Sequence, residues 1–391
     1  MSIKKLFFVI VIKNSKIYQK LRNYICEILG FKYQLFHRKA LLNLDYKVDI
    51  SRQSTELSEK FYSKIFNILD QKDNINKDSL WLDIFNNYHK KILEIVLKDK
   101  SKLKLILDNP SKYNLFYGFD NNCEYILKKP RYIDYFENDE LVVDKILNLA
   151  EYLGILRHNN PEQFRIRFKK PSIEELIDEI EKKLSIELDF KNVFPGEEGV
   201  KTKRGIITNR EIQAIYQAYQ IKEICKKNHY KSILEIGGGL GRTAYYCYKF
   251  GFKNYTIVDL LIPQICQLNY LSRVINEEDV LNESELKSKN LENKIKIISP
   301  NYLFKNNEKF DLIFNCDSLT EIDVLNQKKY INFIKDNTNF FYSINHESNN
   351  KTVTNLFSKT NFIEYDKKLY WLRKGYLEEY FRFKWIIINL K

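Results

Sequence analysis

Two sets of residues in this chain have the types and spacing to do chemistry. One is Glu235 with Gly237, Gly238, Gly239 and Gly241, followed at the end of the next apolar segment by Asp259. Clustered glycines let a backbone bend sharply and let a ligand approach where any Cβ would collide. An acid closing the second strand of such a unit sits where a ribose diol is held. The other set is Asn315, Cys316, Asp317 and Ser318, then Glu321 and Asp323, and further on Ser343, Asn345, His346 and Glu347. Carboxylates and an imidazole beside a nucleotide turn suit removal of a proton from an acceptor as a new bond forms on it.

The elements that must position these groups can be read from apolar spacing. Ser232 to Ile236 is a short buried strand, Arg242 to Phe250 is helical, and Tyr255 to Val258 is a second strand, so the glycines join strand to helix. A dinucleotide turn asks for G-x-G-x-x-G with a pyrophosphate over the helix N-terminus. Counting from Gly237, Arg242 takes the third glycine's place. S-adenosylmethionine has no phosphate, and Glu235, two residues before the first glycine, is placed to hold its cationic amino-acid end. The expected cofactor is therefore S-adenosylmethionine, bound by Glu235, Gly237, Gly238, Gly239, Gly241 and Asp259, with Asp317 as a further contact.

Methyl transfer is an in-line displacement, so the protein aligns the nucleophile and, for an alcohol, supplies a base. His346 is the one histidine in a strand-end cluster; it is a candidate base, oriented by Glu347 or Asp317. Asp317 is the rival base. It could also join Glu321 or Glu347 around a divalent cation, although no metal is expected. Cys316 lacks the preceding proline of cytosine-methylating enzymes, and Asn315 to Ser318 lacks the Pro-Pro-aromatic pattern of enzymes that methylate amino groups of nucleic acids.

Helical spacing marks Ser54 to Leu69, Leu80 to Leu97, Ser101 to Leu107, Glu140 to Leu156 and Ser172 to Leu188, the last opened by a Ser172 and Glu175 capping pattern. Phe164 to Phe168 alternates like a strand or extended arm. Asp189 to Thr208 reads as an inter-domain connection that could fold over the site as a lid, which makes Lys203 and Arg204 candidate acceptor contacts together with Glu347. An amphipathic helix, Arg210 to Lys226, follows. After Asp259 come a helix at Ile262 to Val274, a polar surface segment at Ser284 to Asn293, and a strand at Ile295 to Ile298. The pattern continues with a strand at Phe310 to Phe314, a helix at Asp323 to Asp336, and a strand at Phe340 to Asn345. A closing antiparallel hairpin, Phe362 to Trp371 with Leu377 to Trp385, ends the reading. The expected fold is α/β: a mainly helical N-terminal domain over residues 1–190, then a Rossmann-like sheet with a C-terminal antiparallel hairpin over 191–391.

The formal net charge is +13, yet the lysines are dispersed among acids, which describes a solvated surface better than a nucleic-acid footprint. No nucleic-acid partner is expected, and RNA or protein methylation is the alternative function that the charge would favour. The six cysteines show neither a C-x-x-C pair nor metal-ligand spacing, as suits a reducing cytoplasm. Leu6 to Ile12 is apolar but too short to span a bilayer, and reads as a buried segment or a weak peripheral membrane contact.

Taken together, LDNPSKYNLFYGFD from Leu107, GEEGVKTKRGIITNREIQAIYQAY from Gly196, LEIGGGLGRTAYY from Leu234, YTIVDLLIPQICQLNYL from Tyr255, FNCDSLTEID from Phe314, FYSINHES from Phe341 and YWLRKGYLEEY from Tyr370 resemble the sugar O-methyltransferases of surface-polysaccharide biosynthesis. That resemblance implies a class I methyltransferase domain behind a helical one. It also implies S-adenosylmethionine as donor and a sugar or glycan hydroxyl as acceptor, nucleotide-linked or phosphorylated. It leaves the first hundred or so residues, Leu6 to Ile12 included, without a match.

Overall fold

The computed structural model describes residues 46–69, 79–120, 134–156, 171–287, 291–348, 352–373 and 375–383. The apolar run at Leu6 to Ile12 and the alternating Phe164 to Phe168 lie outside them.

The described residues open with β1 (Lys47–Ile50) and a helical series: α1 (Glu59–Phe66), α2 (Leu80–Ile84), a π-turn at Phe85–His89, α3 (Lys90–Lys98), α4 (Lys102–Asp108), α5 (Asp134–Tyr152) and α6 (Ile173–Leu184). The helix expected over Leu80 to Leu97 is thus one path interrupted by a π-bulge. The capping box of α6 forms as its sequence requires: Glu175 N–H donates to Ser172 Oγ at 3.2 Å and Ser172 N–H donates to the Glu175 carboxylate at 2.8 Å.

The expected connection at Asp189 to Thr208 carries two strands, β2 (Glu198–Thr202) and β3 (Gly205–Ile207), which form a small antiparallel sheet with β1. Next come α7 (Asn209–Asn228), β4 (Ile233–Ile236), α8 (Arg242–Lys249), β5 (Tyr255–Val258), α9 (Leu261–Val274), β6 (Val280–Asn282) and β7 (Ile295–Ile298). The described chain finishes with α10 (Pro300–Asn306), β8 (Leu312–Cys316), α11 (Val324–Asn337), β9 (Phe340–His346), α12 (Val353–Phe357), β10 (Phe362–Leu369) and β11 (Tyr376–Phe383).

The main sheet has the order β10-β11-β9-β8-β4-β5-β7-β6. β6 through β9 are parallel, and β11 runs antiparallel between β9 and β10. Apart from the added edge strand β6, this is the strand order of a class I methyltransferase, with the reversed strand at its customary place. β6 corrects the sequence reading, in which only a polar surface segment follows α9: Val280 to Asn282 is too short to show a period but pairs with β7.

Burial explains the parallel centre. All four residues of β4, β5 and β7 are buried, as strands covered on both faces must be. Alternate residues feed two apolar layers. Ile233 and Phe314 face a layer built with α7, α8, α9 and the N-terminal helices, whereas Leu234, Ile236 and Ile313 face one built with α10, α11 and α12. The first layer runs without a break from Leu57 to Tyr380, across the connection at residue 190.

Candidate functional site

A cleft opens at the carboxyl ends of β4, β5 and β8, where an open parallel sheet places its ligands. The turn after β4 forms its floor. Gly237, Gly239 and Gly241 all have positive φ, and Gly241 caps α8. At Gly239 (φ +56) an added Cβ would meet nothing nearer than the Phe119 carbonyl oxygen at 3.9 Å, so the turn faces open space there. Glu235 lies beneath it, 2% exposed, and accepts from the Tyr255 hydroxyl at 2.9 Å; burial pushes its carboxyl up to about 8. Asp259 stands on the neighbouring wall. Its carboxylate accepts from its successor's amide, Leu260 N–H, at 2.9 Å and from Gln267 at 2.7 Å, and Gln267 also donates to the Gly239 carbonyl at 3.0 Å. Gln267 therefore fixes the acid and the turn in one register. The residues expected to hold S-adenosylmethionine are together, preset, and beside a void that a ligand could fill.

Arg242 does not reach into solvent. It is buried, and its guanidinium pairs with Asp120, with Glu197 at 3.2 Å and with Glu211 at 3.1 Å. Burial is the largest influence on Glu197 and Glu211 and raises both, against the lowering pull of Arg242. The residue that stands in for a third glycine is thus an anchor, tying the turn to segments at 120, 197 and 211.

The strand ends beyond the turn are laced by side chains. Asn315 and Ser318 each donate to the Ile236 carbonyl at 2.8 Å, and Asn345 donates to Asn315 Oδ1 at 2.8 Å, so β4, β8 and β9 end in one network. Asp317 follows β8 with φ 58, a left-handed conformation uncommon outside glycine, and lines the cleft. One of its oxygens is ion-paired to Arg373 and the other accepts from the Tyr376 hydroxyl at 2.8 Å. Both oxygens are engaged, which suits a fixed charge better than a proton acceptor.

Glu321 read in the sequence only as a partner of Asp317 around a cation. It lines the cleft, and burial, followed by the charge of Asp317, pushes its carboxyl up to about 7. His346 lies behind Asp317 and is not among the residues that line the cleft; its Nε2 is 3.9 Å from Asp317 and its Nδ1 meets Ser348. Asp317, Glu321 and His346 each bring one ligand atom within 4.8 Å of the others, a spacing that a cation could use. Arg373 already supplies positive charge to that group.

The remaining expected contacts lie elsewhere. Glu347 pairs with Lys367 at 3.1 Å. Lys203 and Arg204 do not line the cleft: the Lys203 amide donates to Glu174, and Arg204 clamps α6 through Asp178 at 2.6 Å and Glu181 at 3.2 Å. The basic group that reads as a lid is instead fastened outward, because α6 presents three acids to it. Arg204→Ala should leave kcat and KM unchanged and lower unfolding stability by about 1 kcal/mol, as read from urea melts. A rise of tenfold or more in acceptor KM would return Arg204 to the site. Cys316 lines the cleft and accepts from Gln217 at 3.3 Å, and burial pushes its thiol up, which disfavours the thiolate. The N-terminal half supplies part of the wall through Trp81 and Phe119; Phe119 falls within the stretch quoted from Leu107, whereas nothing in its local sequence marks Trp81. Among the described residues no helix is long and apolar enough to cross a membrane.

Compared with known proteins, the sequence matches no family model and no curated protein. Among solved structures it is similar to a mitomycin 7-O-methyltransferase, at 12% identity and a TM-score of 0.31, over 44% of this chain and 57% of that one. It is also similar to the methyltransferase domain of bacterial CtHen1, at 10% identity and a TM-score of 0.29, over 43% of this chain and 99% of that one. A third similar structure is a glycopeptide N-methyltransferase complexed with sinefungin, at 11% identity and a TM-score of 0.26, over 39% of this chain and 60% of that one. The likeness is partial at such scores, and the class I fold rests on the strand order and the glycine turn of the chain itself.

Proposed function

We propose that this chain transfers a methyl group from S-adenosylmethionine to a hydroxyl of a sugar, either nucleotide-linked or within a glycan. The observation that carries the reading is the void over Gly239, bounded by Asp259 on one wall and by Asp317 and Glu321 on another. Bound there, S-adenosylmethionine would supply an electrophilic methyl group. Glu235 and the turn would hold its amino-acid end and Asp259 its ribose. The acceptor side offers carboxylates and amides (Asp317, Glu321, Asn326), and the same cleft holds the aromatic ring of Trp81, a lining suited to a polyol with apolar faces. The sugar itself is inferred from the sequence resemblance.

Glu321 is the proposed base. With S-adenosylmethionine bound, the Glu321 carboxylate would take the proton of the acceptor hydroxyl as that oxygen is methylated. The charge that Asp317 sets behind Glu321 raises its proton affinity, and Arg373 holds Asp317 in place. His346 acts from behind, on Asp317.

Glu321→Gln should lower kcat by about a hundredfold to ten-thousandfold and leave S-adenosylhomocysteine affinity unchanged. The base works only when ionised, so wild-type kcat/KM should rise with pH through about 7 and then level off, and that limb should vanish in the variant. Wild-type turnover by Glu321→Gln would remove it as base. The test of the function itself is methyl transfer from labelled donor across nucleotide sugars, isolated glycans, mixed RNA and protein; incorporation confined to RNA or protein would overturn the sugar reading.

A further inference from the structure

Arg210 occupies the second position of α7, beside Asn209. It lines the cleft and has no hydrogen bond or ion pair among the described residues. Its charge is felt by the groups around it: it lowers Glu321 and Cys316 on the β8 side and Lys145 on the other.

Lys145 comes from α5, is 5% exposed, and bonds through its ammonium to the Asn209 side-chain oxygen. It is pushed down to about 7, first by burial and then by the charges of Arg210 and Arg373, against a smaller opposing pull from Asp144. Arg373 arrives from the turn between β10 and β11, with its charge matched by Asp317. Glu321 is only partly ionised at neutral pH. Basic side chains from three elements thus come together here: Lys145 bonds to the residue beside Arg210, and Arg373 enters through its ion pair with Asp317 on the cleft wall. Such a locus favours an anion, and a guanidinium fork matches two oxygens of a carboxylate or phosphate.

We propose that Arg210, backed by Lys145, is an anion seat that takes the carboxylate or phosphate of an acidic sugar acceptor. The proposal rests on the sugar-methylation reading and narrows it to acceptors bearing a negative group within reach of the methylated hydroxyl. The same chemistry could come from the α-carboxylate of the cofactor. Arg210 shares its face of α7 with Gln213 and Gln217, which also line the cleft, and Gln217 donates to Cys316 at the end of β8 at 3.3 Å, which favours the acceptor side.

The test uses the full chain saturated with S-adenosylhomocysteine and titrated with D-glucuronate, D-glucose 6-phosphate and D-glucose. The acidic sugars should bind at least about tenfold tighter than glucose, Arg210→Gln should erase that preference, and Arg210→Lys should restore part of it. The affinity of Arg210→Gln for S-adenosylhomocysteine should stay within about twofold of wild type. No preference in the wild type, or a preference that survives Arg210→Gln, overturns the proposal. A loss of about tenfold or more in S-adenosylhomocysteine affinity would assign the seat to the cofactor and overturn it as well. Titration without S-adenosylhomocysteine separates the two readings: a chain that takes acidic sugars but never S-adenosylhomocysteine keeps the seat and loses the methyl-transfer function.

Discussion

Gly239→Arg is expected to abolish S-adenosylhomocysteine binding in calorimetry while the chain keeps its circular dichroism spectrum. Gly239 has φ +56, and the space beyond its Cα is empty to 3.9 Å. A left-handed backbone costs a non-glycine residue about 1–2 kcal/mol, which a domain of ordinary stability, about 5–15 kcal/mol, survives. The arginine side chain would then extend into the cleft and occupy it. Gly239→Ala carries the same backbone cost without the reach and should weaken binding far less. Gly237 gives the contrast: a Cβ there would lie 2.3 Å from Ser318 Oγ at φ +72, so Gly237→Ala should lower the melting temperature as well as the affinity. Wild-type affinity in Gly239→Arg would remove the turn from the site.

Arg242→Met is expected to cost about 3–5 kcal/mol of unfolding free energy, the usual penalty for removing one partner of a buried ion cluster. Without the guanidinium, Asp120, Glu197 and Glu211 stay buried and lose the positive charge that all three share. The pH dependence follows from Glu197. Its carboxyl is held at about 8, above the ordinary 4.5, so the folded state binds that proton more tightly than the unfolded chain does. Its contribution is fully present below about 4.5 and is lost as pH rises through about 8. Wild-type stability should therefore fall across that window, and in Arg242→Met, which lacks the largest lowering influence on Glu197, the fall should extend to higher pH. Adding Asp120→Asn to Arg242→Met should return part of the loss. Urea titrations at pH 5 and pH 8 check both statements; an unchanged midpoint in Arg242→Met would mean that the cluster is not holding the turn.

The glycine turn, the flanking strands and Asp259 were legible in the sequence because each is local: a buried run, a break that only glycine makes, and an acid where the strand stops. The closing hairpin was legible for the same reason. What stayed hidden was set by distant segments. Arg204 read as a free lid cation because its three acids lie on α6, more than twenty residues earlier in the chain. Arg210 read as the start of an amphipathic helix, although α7 is buried on almost every side between the sheet and the N-terminal helices. Asp317 read as a free base because Arg373 and Tyr376 reach it only when β11 folds back beside β9. Glu321 lies four residues past Asp317, and only the fold, which commits Asp323 to capping α11 and sets Glu321 under the charge of Asp317, tells the two acids apart.

The hold of Arg242 on Asp120 bears on how this protein can be cut and recombined. A graft beginning at residue 191 would keep every glycine and both acids of the nucleotide turn, and would still carry a buried guanidinium short of one of its three anions. The half that carries the glycine turn is therefore tied to the half before it by this ion pair. Any lineage that swaps the helical half for another must bring its own carboxylate to Arg242, or lose the arginine in the same step.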